Sequence, residues 1–580
     1  LLPDENPAVD WSQQPELEEE IFSSRSAFDA LNRPIALTTP HTPSMQPSII
    51  RPGYNEANLL ERVDANLHGA NVEAVFVDNI DYNARGQRLS MTCGRSNFTT
   101  RYEYEPDTFR LHKLHTQRQQ NPRVLQDLNY TYDPVGNITE IRDDAQQTVF
   151  FDNDVVSPDT QYEYDAIYRL IQADGREHAG QGTNTQRDHA DIPAMPLPHP
   201  NDMTAVRNYT EQYQYDTVGN IMRMIHQLPN SPTTSGNWTR QYEYATDSNR
   251  LLATSLPGNA PPATYEYDDH GSINKMSHLP VMAWDYKDQL QMTQKQAVNN
   301  GNAVEQTQYL YDAAGERVRK ITLGQNGSRK HERIYLGGFE IYREYNGESI
   351  ALERETLHIM DDQQRIALVE TKTIDMNVPN LTSSAMIRFQ LGNHLGSAAL
   401  ELAEDGAVIT YEEYHPYGTS AYRSGRSAAE VSLKRYRFTG KERDEESGFS
   451  YHSARYYLPW LGRWGSVDPA GLVDGENMYR YSRNSPVLRV DQSGYDSETA
   501  FSVSPQTGEA PLTKYSSYEQ IEAVAQQENN ILVNPNRDND EFINGIWNLG
   551  DDAYLISSEG GAEITSLSER GRTSGSNSPQ

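Results

Sequence analysis

The feature that most constrains this 580-residue chain is a short phrase, Tyr-x-Tyr-Asp-x-x-Gly, that recurs at irregular intervals. Full copies begin at Tyr130, Tyr213, Tyr265 and Tyr309, and weaker copies begin at Tyr102, Tyr162 and Tyr242. Side chains alternate along a strand, so Tyr-x-Tyr places two rings on one face. The Asp opens a turn by accepting nearby backbone amides, and the Gly supplies the positive φ that reverses the chain. Each copy therefore predicts a β-hairpin. An isolated hairpin is unstable, so the copies are expected to stack into a continuous sheet.

The composition supports a packed β protein and excludes several function classes. Hydrophobic residues make up only 36% of the chain, but 36 tyrosines, against 13 Phe and 6 Trp, can fill half-buried strand positions. The chain carries 82 Asp+Glu and 50 Lys+Arg, a formal charge of -32. That balance argues against a nucleic-acid-binding surface, which needs clustered cations.

The single cysteine and the lack of long apolar runs set further limits. Cys93 is the only cysteine, so no internal disulfide can form, and a zinc site would need His and carboxylate ligands. No apolar run approaches the length that spans a bilayer. We therefore expect no cofactor, no metal and no membrane span.

A dense motif occupies the segment from Arg435 to Gly494. It contains Ala-Arg-Tyr-Tyr around Arg455, Trp-Gly-Ser-Val-Asp-Pro ending at Pro469, and Asp491-Gln-Ser-Gly494. This segment resembles the Rhs-repeat-associated core domain of bacterial Rhs toxins, and the repeated phrase is similar to the YD repeats of that family. The phrases Tyr54-Asn-Glu-Ala-Asn-Leu-Leu60 and Asn79-Ile-Asp-Tyr-Asn-Ala-Arg-Gly-Gln-Arg88 look more narrowly like the C component of Tc (ABC) toxin complexes. The resemblance covers about residues 25–495.

The resemblance implies both the fold class and the division of the chain. The fold would be all-β, with the YD repeats spiralling into a hollow shell that the core domain caps. Residues 1–430 would form the repeat shell, 431–495 the autoprotease core, and 496–580 the variable C-terminal cargo or toxin region. The hollow architecture comes from the resemblance alone, because the repeats by themselves also fit a generic β-solenoid or propeller.

Cleavage of a peptide bond without a Cys, a Ser–His pair or a metal requires an acid and a base at one carbonyl. Two aspartates that share a proton can supply both, since close like charges raise one pKa and leave the other group ionised. The resemblance assigns these roles to Asp468 and Asp491, with Arg455 positioning the pair. The bland alternative is that Asp-Pro and Asp-x-x-Gly are common turn signals and that an Arg–Asp pair is structural.

The resemblance also places a scissile bond. Relatives are cut one residue after Asp-x-x-Gly, which puts the cut between Tyr495 and Asp496. This chain departs from the common pattern twice, because Gln492 replaces Pro and Tyr495 replaces Leu. Tyrosine is still a large apolar group that could fill a pocket. The lone His452 and the aromatic residues of the motif are interpreted as structural.

After Gly494 the repeats stop. Residues 496–580 carry 14 acidic and 4 basic side chains, and we find no Walker loop, zincin motif or histidine among them. A short helix at 521–527 and strands at 531–534 and 553–557 are predicted. A bland acidic segment and a catalytic toxin fit this composition equally.

The resemblance implies a secreted, extracellular toxin-complex component of a bacterium that releases its own C-terminus for delivery into a target-cell cytosol. Its partners would be a B component, fused upstream or separate, that closes the shell, a pore-forming A component, and the chain's own cargo. Three rivals stay open. They are a contact-dependent effector aimed at competing bacteria, an adhesion module with a YD shell, and a structural shell whose protease is inactive.

Overall fold

The computed structural model describes residue 18 and residues 20–500, with gaps at 121, 152, 180–188, 190–204, 230–235, 257–260, 296–303, 362–363, 379–380, 382–383 and 426–433; it also describes two short strands beyond residue 545. The chain divides into two compact units, residues 1–502 and 503–580. The predicted helix at 521–527 and the predicted strand at 531–534 lie outside the described residues. In the second unit, β40 (Ile546–Leu549) pairs with β41 (Asp552–Leu555), which overlaps the strand predicted at 553–557.

The first unit begins with β1 (Ser23–Phe28), β2 (Pro34–His41), β3 (Ile49–Tyr54), β4 (Leu60–Asn66), β5 (Glu73–Tyr82), β6 (Arg88–Cys93), β7 (Phe98–Tyr104), β8 (Leu111–Arg118), β9 (Arg123–Tyr132), β10 (Ile138–Asp143), β11 (Val149–Phe151), β12 (Asp154–Val156), β13 (Asp159–Tyr164), β14 (Leu170–His178), β15 (Val206–Tyr215), β16 (Ile221–Gln227), β17 (Trp238–Tyr244), β18 (Leu251–Ser255) and β19 (Ala263–Thr264). Apart from the separate hairpin β11–β12, these strands form one antiparallel sheet in which each strand pairs with the next along the chain.

The unit continues with β20 (Glu266–Tyr267), β21 (Ile273–Lys275), β22 (Val281–Trp284), β23 (Leu290–Gln294), β24 (Gln306–Tyr311), β25 (Arg317–Leu323), β26 (Arg329–Tyr335), β27 (Phe339–Asn346), β28 (Ser349–Met360), β29 (Arg365–Asp375), β30 (Ala385–Gly392), β31 (Ala398–Leu402), β32 (Val408–Tyr414) and β33 (Ser420–Gly425). Strands β22 to β33 form a second antiparallel sheet, again in chain order. The small hairpin β20–β21 lies between the two sheets in sequence.

The repeat phrase builds the predicted hairpins. Asp133 Oδ1 accepts the backbone N–H groups of Gly136 and Asn137 at 2.7 and 2.8 Å, and Gly136 has φ +105°. The two strands on either side, β9 and β10, pair antiparallel across this turn. The hairpin reading of the phrase is therefore confirmed, and it rests on contacts within four residues of the Asp.

The two tyrosines of each phrase have different tasks. The first, such as Tyr130 or Tyr309, is buried in the core. The second donates its hydroxyl to a backbone carbonyl near the start of an earlier strand, as Tyr132 does to Leu111 O at 2.7 Å and Tyr311 to Leu290 O at 2.8 Å. Each repeat is thus tied to the one before it by a side-chain bond as well as by the sheet ladder.

The core segment forms a small element set of its own. Strands β34 (Glu442–Arg443), β35 (Ser450–His452), β36 (Arg455–Leu458) and β37 (Arg463–Trp464) make a four-stranded sheet, and β38 (Arg489–Val490) pairs with β39 (Glu498–Thr499); 3-10 turns lie at Phe438–Gly440 and Ser482–Asn484. This segment packs within the same compact unit as the repeats. The division at 430 and 495 stays a prediction.

The core segment is fastened to the repeat sheets by buried polar contacts. Arg317 of β25 reaches Glu442 at 2.6 Å and Asp444 at 2.8 Å, and Tyr311 and Tyr456 share a hydroxyl hydrogen bond of 2.9 Å. The aromatic residues of the motif are buried, as predicted; these are Tyr456, Tyr457, Trp460 and Trp464. The repeats therefore serve as the rigid frame on which the core motif is held.

Candidate active site

The structure brings Arg455, Asp468 and Asp491 together. Nη2 of Arg455 lies 2.9 Å from Asp468 Oδ2 and 3.0 Å from Asp491 Oδ2, so one guanidinium nitrogen bridges the two carboxylates. All three residues are buried, with exposed fractions of 1%, 4% and 1%. The three residues that the sequence singled out thus form one cluster shielded from solvent.

Each of the three side chains follows from its local structure. Arg455 begins β36, Asp468 follows β37, and Asp491 follows β38 directly. The Asp468 Oδ1 accepts Ala470 N at 2.9 Å, and the Asp491 Oδ1 accepts Gly494 N at 2.7 Å. Both aspartates are therefore turn residues, as the structural interpretation predicts. In each turn the Asp Oδ1 accepts the backbone amide, and the Oδ2 contacts Arg455.

Burial makes both carboxyls easier to protonate. Burial raises the pKa of Asp491 to about 6, against the lowering effect of Arg455 and the Gly494 amide. Burial also raises the pKa of Asp468, which Arg455 again opposes. The neighbouring carboxyl is not the main cause of either shift. Around pH 6, Asp491 changes between the protonated form that an acid needs and the ionised form that a base needs.

The segment after Asp491 is docked against this cluster. Arg455 Nε donates to the carbonyl oxygen of Gly494 at 2.5 Å, and Ala454 N donates to Ser493 O at 3.0 Å. Gly494 has φ +80°, and a Cβ there would lie 2.6 Å from His452 O and 2.9 Å from Arg455 N. Only glycine fits, because both the backbone angle and the close approach exclude a side chain.

The predicted scissile residues lie just beyond this docked turn. Tyr495 and Asp496 belong to the connection between β38 and β39. Tyr495 is 46% exposed and Asp496 is exposed, so the tyrosine ring does not occupy a closed pocket. The prediction that Tyr495 fills a pocket is therefore not supported by its exposure. The bond itself lies on a loop that water can reach.

Two further side chains complete the site. His452, which is fully buried, has its Nδ1 2.6 Å from the backbone oxygen of Asp491, and burial lowers the pKa of this histidine well below its usual range. The Nδ1–H therefore donates to the carbonyl. Trp464 lies under the Arg455 guanidinium, which is 4.2 Å from the ring centroid. The sequence marked both residues as structural, and it held no signal that they touch the candidate catalytic groups.

Metal-binding clusters and membrane-spanning helices were both sought among the described residues. No group of three or more His, Cys, Asp or Glu side chains within it has the arrangement of a metal site. None of its helical turns has the length and apolarity that a bilayer crossing requires.

The fold and the site together are those of an all-β, YD-repeat protein with two buried aspartates in its C-terminal core segment. No protein-family model matches the chain. It is 33% identical over 482 residues to toxin subunit YenC1 and 35% identical over 428 residues to toxin subunit YenC2, both of Yersinia entomophaga; the matches cover 82% and 73% of this chain.

Solved structures agree with these relatives. The crystal structure of TcdB2–TccC3 matches with a TM-score of 0.73 at 33% identity over 83% of this chain, and the Photorhabdus luminescens Tc holotoxin pore with TccC3 mutation D651A matches with a TM-score of 0.70 at 32% identity over 83%. The chain is thus a homologue of Tc-toxin C subunits over most of its length, and the resemblance and the all-β, shell-type repeat fold are confirmed.

The homology is partial in one respect. The chain spans about half the length of the curated relatives it matches, 47% of YenC1 and 43% of YenC2, and 23% of the TcdB2–TccC3 chain.

Proposed function

We propose that this chain is a Tc-toxin C-type shell component that encloses its own C-terminal region and cuts it free by aspartic-type self-cleavage after Tyr495. The observation that carries the proposal is the buried bridge in which one nitrogen of Arg455 contacts both Asp468 and Asp491. In this proposal the bond to be cut, Tyr495–Asp496, directly follows the turn whose Gly494 carbonyl accepts Arg455 Nε.

The geometry supports a single-turnover hydrolysis. The ionised carboxylate of the pair takes a proton from a water molecule, whose oxygen attacks the carbonyl carbon of Tyr495. The protonated carboxyl polarises that carbonyl and then supplies the proton that the departing amine of Asp496 needs. The products are a new carboxylate at Tyr495 and a new N-terminus at Asp496. Hydrolysis consumes one water and restores the shared proton.

Arg455 is the positioning residue of this scheme. Its Nη2 holds the two carboxylates within reach of each other, and its Nε fixes the carbonyl of Gly494, one residue before the proposed bond. A guanidinium suits this double task because its donors are fixed in one plane. His452 holds the backbone of Asp491 from the other side.

The partners follow from the relatives. We infer that a B-type component, fused upstream or separate, closes the shell, since a matched crystal structure contains TcdB2 together with TccC3. A pore-forming A component would deliver the cargo into the target-cell cytosol, in line with the match to the Tc holotoxin pore. The complex would be secreted. Residues 496–580 would be the cargo.

Intact-protein mass spectrometry of the denatured chain, produced with its B-type partner, tests the proposal. The wild type should yield a fragment that begins at Asp496, whereas Asp468→Asn and Asp491→Asn should leave the chain whole. Asp405→Asn is the matched control, since Asp405 is an exposed repeat-turn aspartate that accepts Ala407 N at 2.9 Å; it should be cut as the wild type is.

Two results would contradict the proposal. If both aspartate variants are still cut at the same bond, the carboxylate pair is not the catalyst. If the wild-type chain stays whole in the presence of the B-type partner, the chain is a shell with an inactive core.

A further inference from the structure

A row of side chains, four of them basic, crosses five strands of the second sheet. The residues directly opposite one another are Lys320 of β25, Arg333 of β26, Tyr342 of β27, Arg354 of β28 and Lys372 of β29. Adjacent strands lie about 4.8 Å apart, so Arg333 to Lys372 spans roughly 14 Å. The guanidinium carbons of Arg333 and Arg354 lie 4.6 and 5.3 Å from the Tyr342 ring centroid. The row is one connected surface.

At two places in this row, residues on adjacent strands that face each other carry like charges. Lys320 faces Arg333, and Arg354 faces Lys372. Like charges directly opposite each other weaken a sheet. Lys320 is neutralised by Asp444 at 2.9 Å, and Arg333 by Glu340 at 2.9 Å. These contacts relieve the first pair. In the second pair, Asp375 Oδ2 lies 3.2 Å from Lys372 Nζ, so Arg354 is the less well compensated member.

Arg354 has a more distant counter-charge than its neighbours in the row. Its nearest carboxylate oxygen, on Glu370, is 3.7 Å from Nε, beyond hydrogen-bond distance, and Nε has no hydrogen-bond partner. Glu370 instead accepts Arg388 Nε at 3.0 Å. Burial lowers the pKa of Arg354, Glu370 raises it, and Arg333 and Arg435 lower it. The guanidinium thus has one carboxylate nearby, which does not hydrogen-bond to its Nε.

The opposite face of the same sheet shows the contrast. Side chains alternate along a strand, so Arg319 and Arg343 point away from the row. Arg319 has a carboxylate oxygen of Glu18 at 2.6 Å, and Arg343 has Glu20 at 2.6 Å and Glu353 at 2.8 Å. Arginines on that face have carboxylate oxygens at hydrogen-bond distance, whereas the carboxylate nearest to Arg354 is 3.7 Å away.

The row opens onto a cavity of about 670 Å³ that Lys320, Arg333, Tyr342, Arg354 and Lys372 all line. That volume lies in the range of small-ligand sites. The lining holds eight Lys or Arg side chains and six Glu side chains, so cations are in the majority. Glu305 is paired with Lys295 and Lys330, at 2.7 and 2.8 Å. Lys372 is half exposed at the open side of the row.

We propose that this cavity binds a linear, phosphate-bearing polyanion along the row Arg333–Arg354–Lys372. Guanidinium groups bind phosphate oxygens through paired N–H donors, and an ammonium group adds a point charge. A chain of phosphates repeats its charge along its length, which matches cations spaced one strand apart. The bound anion removes the repulsion between Arg354 and Lys372.

Isothermal titration of the whole chain with inorganic tripolyphosphate at fixed ionic strength tests this site. We expect one ligand per chain, with an affinity that falls at least tenfold in Arg354→Gln and Lys372→Gln. Arg343→Gln, the matched arginine on the opposite face, should bind as the wild type does. Without ligand, Arg354→Gln should melt at the same or a higher temperature than the wild type, because it removes a like-charge pair.

Four results would overturn the proposal. They are an absence of binding, equal binding by Arg354→Gln, equal weakening by Arg343→Gln, and binding of citrate as tight as that of tripolyphosphate. Equal weakening would reveal a diffuse charge effect, and tight citrate binding would reveal a site for carboxylates. A lowered melting temperature of ligand-free Arg354→Gln would show that the arginine serves the fold instead.

Discussion

The raised pKa of Asp491 makes a prediction about stability that does not depend on cleavage. In the folded chain burial raises this pKa to about 6, from an ordinary value of 3.8. A carboxyl whose pKa is raised on folding stabilises the fold when it is protonated. That contribution is complete below about pH 4 and is lost as the pH rises through about 6. The Asp491 carboxyl therefore lowers the stability of the fold as the pH approaches neutral.

The magnitude follows from the same values. One pH unit of difference corresponds to about 1.36 kcal/mol, so the full contribution is about 3 kcal/mol, of which about 2 kcal/mol falls between pH 4 and pH 7.5. Asp491→Asn removes the titration. Any constant cost of the substitution, such as the amide facing Arg455, cancels when two pH values are compared.

The assay compares two variants that are both expected to stay uncut. Asp468→Asn is the background, and the double variant Asp468→Asn/Asp491→Asn is measured beside it by thermal unfolding from pH 4 to 7.5. Asp468 is the last of the causes that raise the pKa of Asp491, so the background preserves most of the effect. We expect the background to lose roughly 2 °C relative to the double variant as the pH rises.

The reasoning is refuted if the difference in melting temperature between the two variants stays constant with pH or changes in the opposite sense. Either would show that Asp491 is ionised in the fold at little cost, which would also remove the shared-proton mechanism. The control adds Asp405→Asn to the same background. This turn aspartate is exposed, so its replacement reports any pH effect that an Asp-to-Asn change has outside the buried pair.

Three further predictions concern the cleavage turn and the repeats. Gly494→Ala should slow self-cleavage at least tenfold, by mass spectrometry of a time course, because its Cβ would meet backbone at 2.6 Å, whereas Gly471→Ala, with φ +72° but nothing within 4 Å, should not. Tyr495→Leu should be cut at the same position, since residue 495 fills no closed pocket; loss of cleavage would show that the tyrosine itself is recognised. Tyr132→Phe loses the hydroxyl bond to Leu111 O and should lower stability by about 1 kcal/mol, measured by thermal unfolding; an unchanged melting temperature would show that the inter-repeat bond adds nothing.

Part of the candidate site was visible in the sequence. The motif named Arg455, Asp468 and Asp491 through resemblance, and the structure places them in contact. The turn reading of the two aspartates was also right, because each accepts a backbone amide close to it in sequence. The structural and the catalytic interpretations therefore describe the same residues and do not exclude each other.

Other parts could not have come from the sequence. Nothing local marks His452 as the partner of the Asp491 carbonyl, or Trp464 as the floor under Arg455. The exposure of Tyr495 was also unforeseen, since the sequence suggested a residue made for a pocket. Each of these depends on which strands become neighbours in the core segment.

The sequence by itself determined the hairpins. An Asp that accepts amides three and four residues away, a Gly with positive φ and alternating tyrosines act within one short stretch of chain, so their outcome is encoded where they stand. Tertiary structure alone decided the chemistry. The pKa of Asp491 and the long contact between Arg354 and Glu370 both depend on burial and on charged groups brought from other strands, and no local pattern records either.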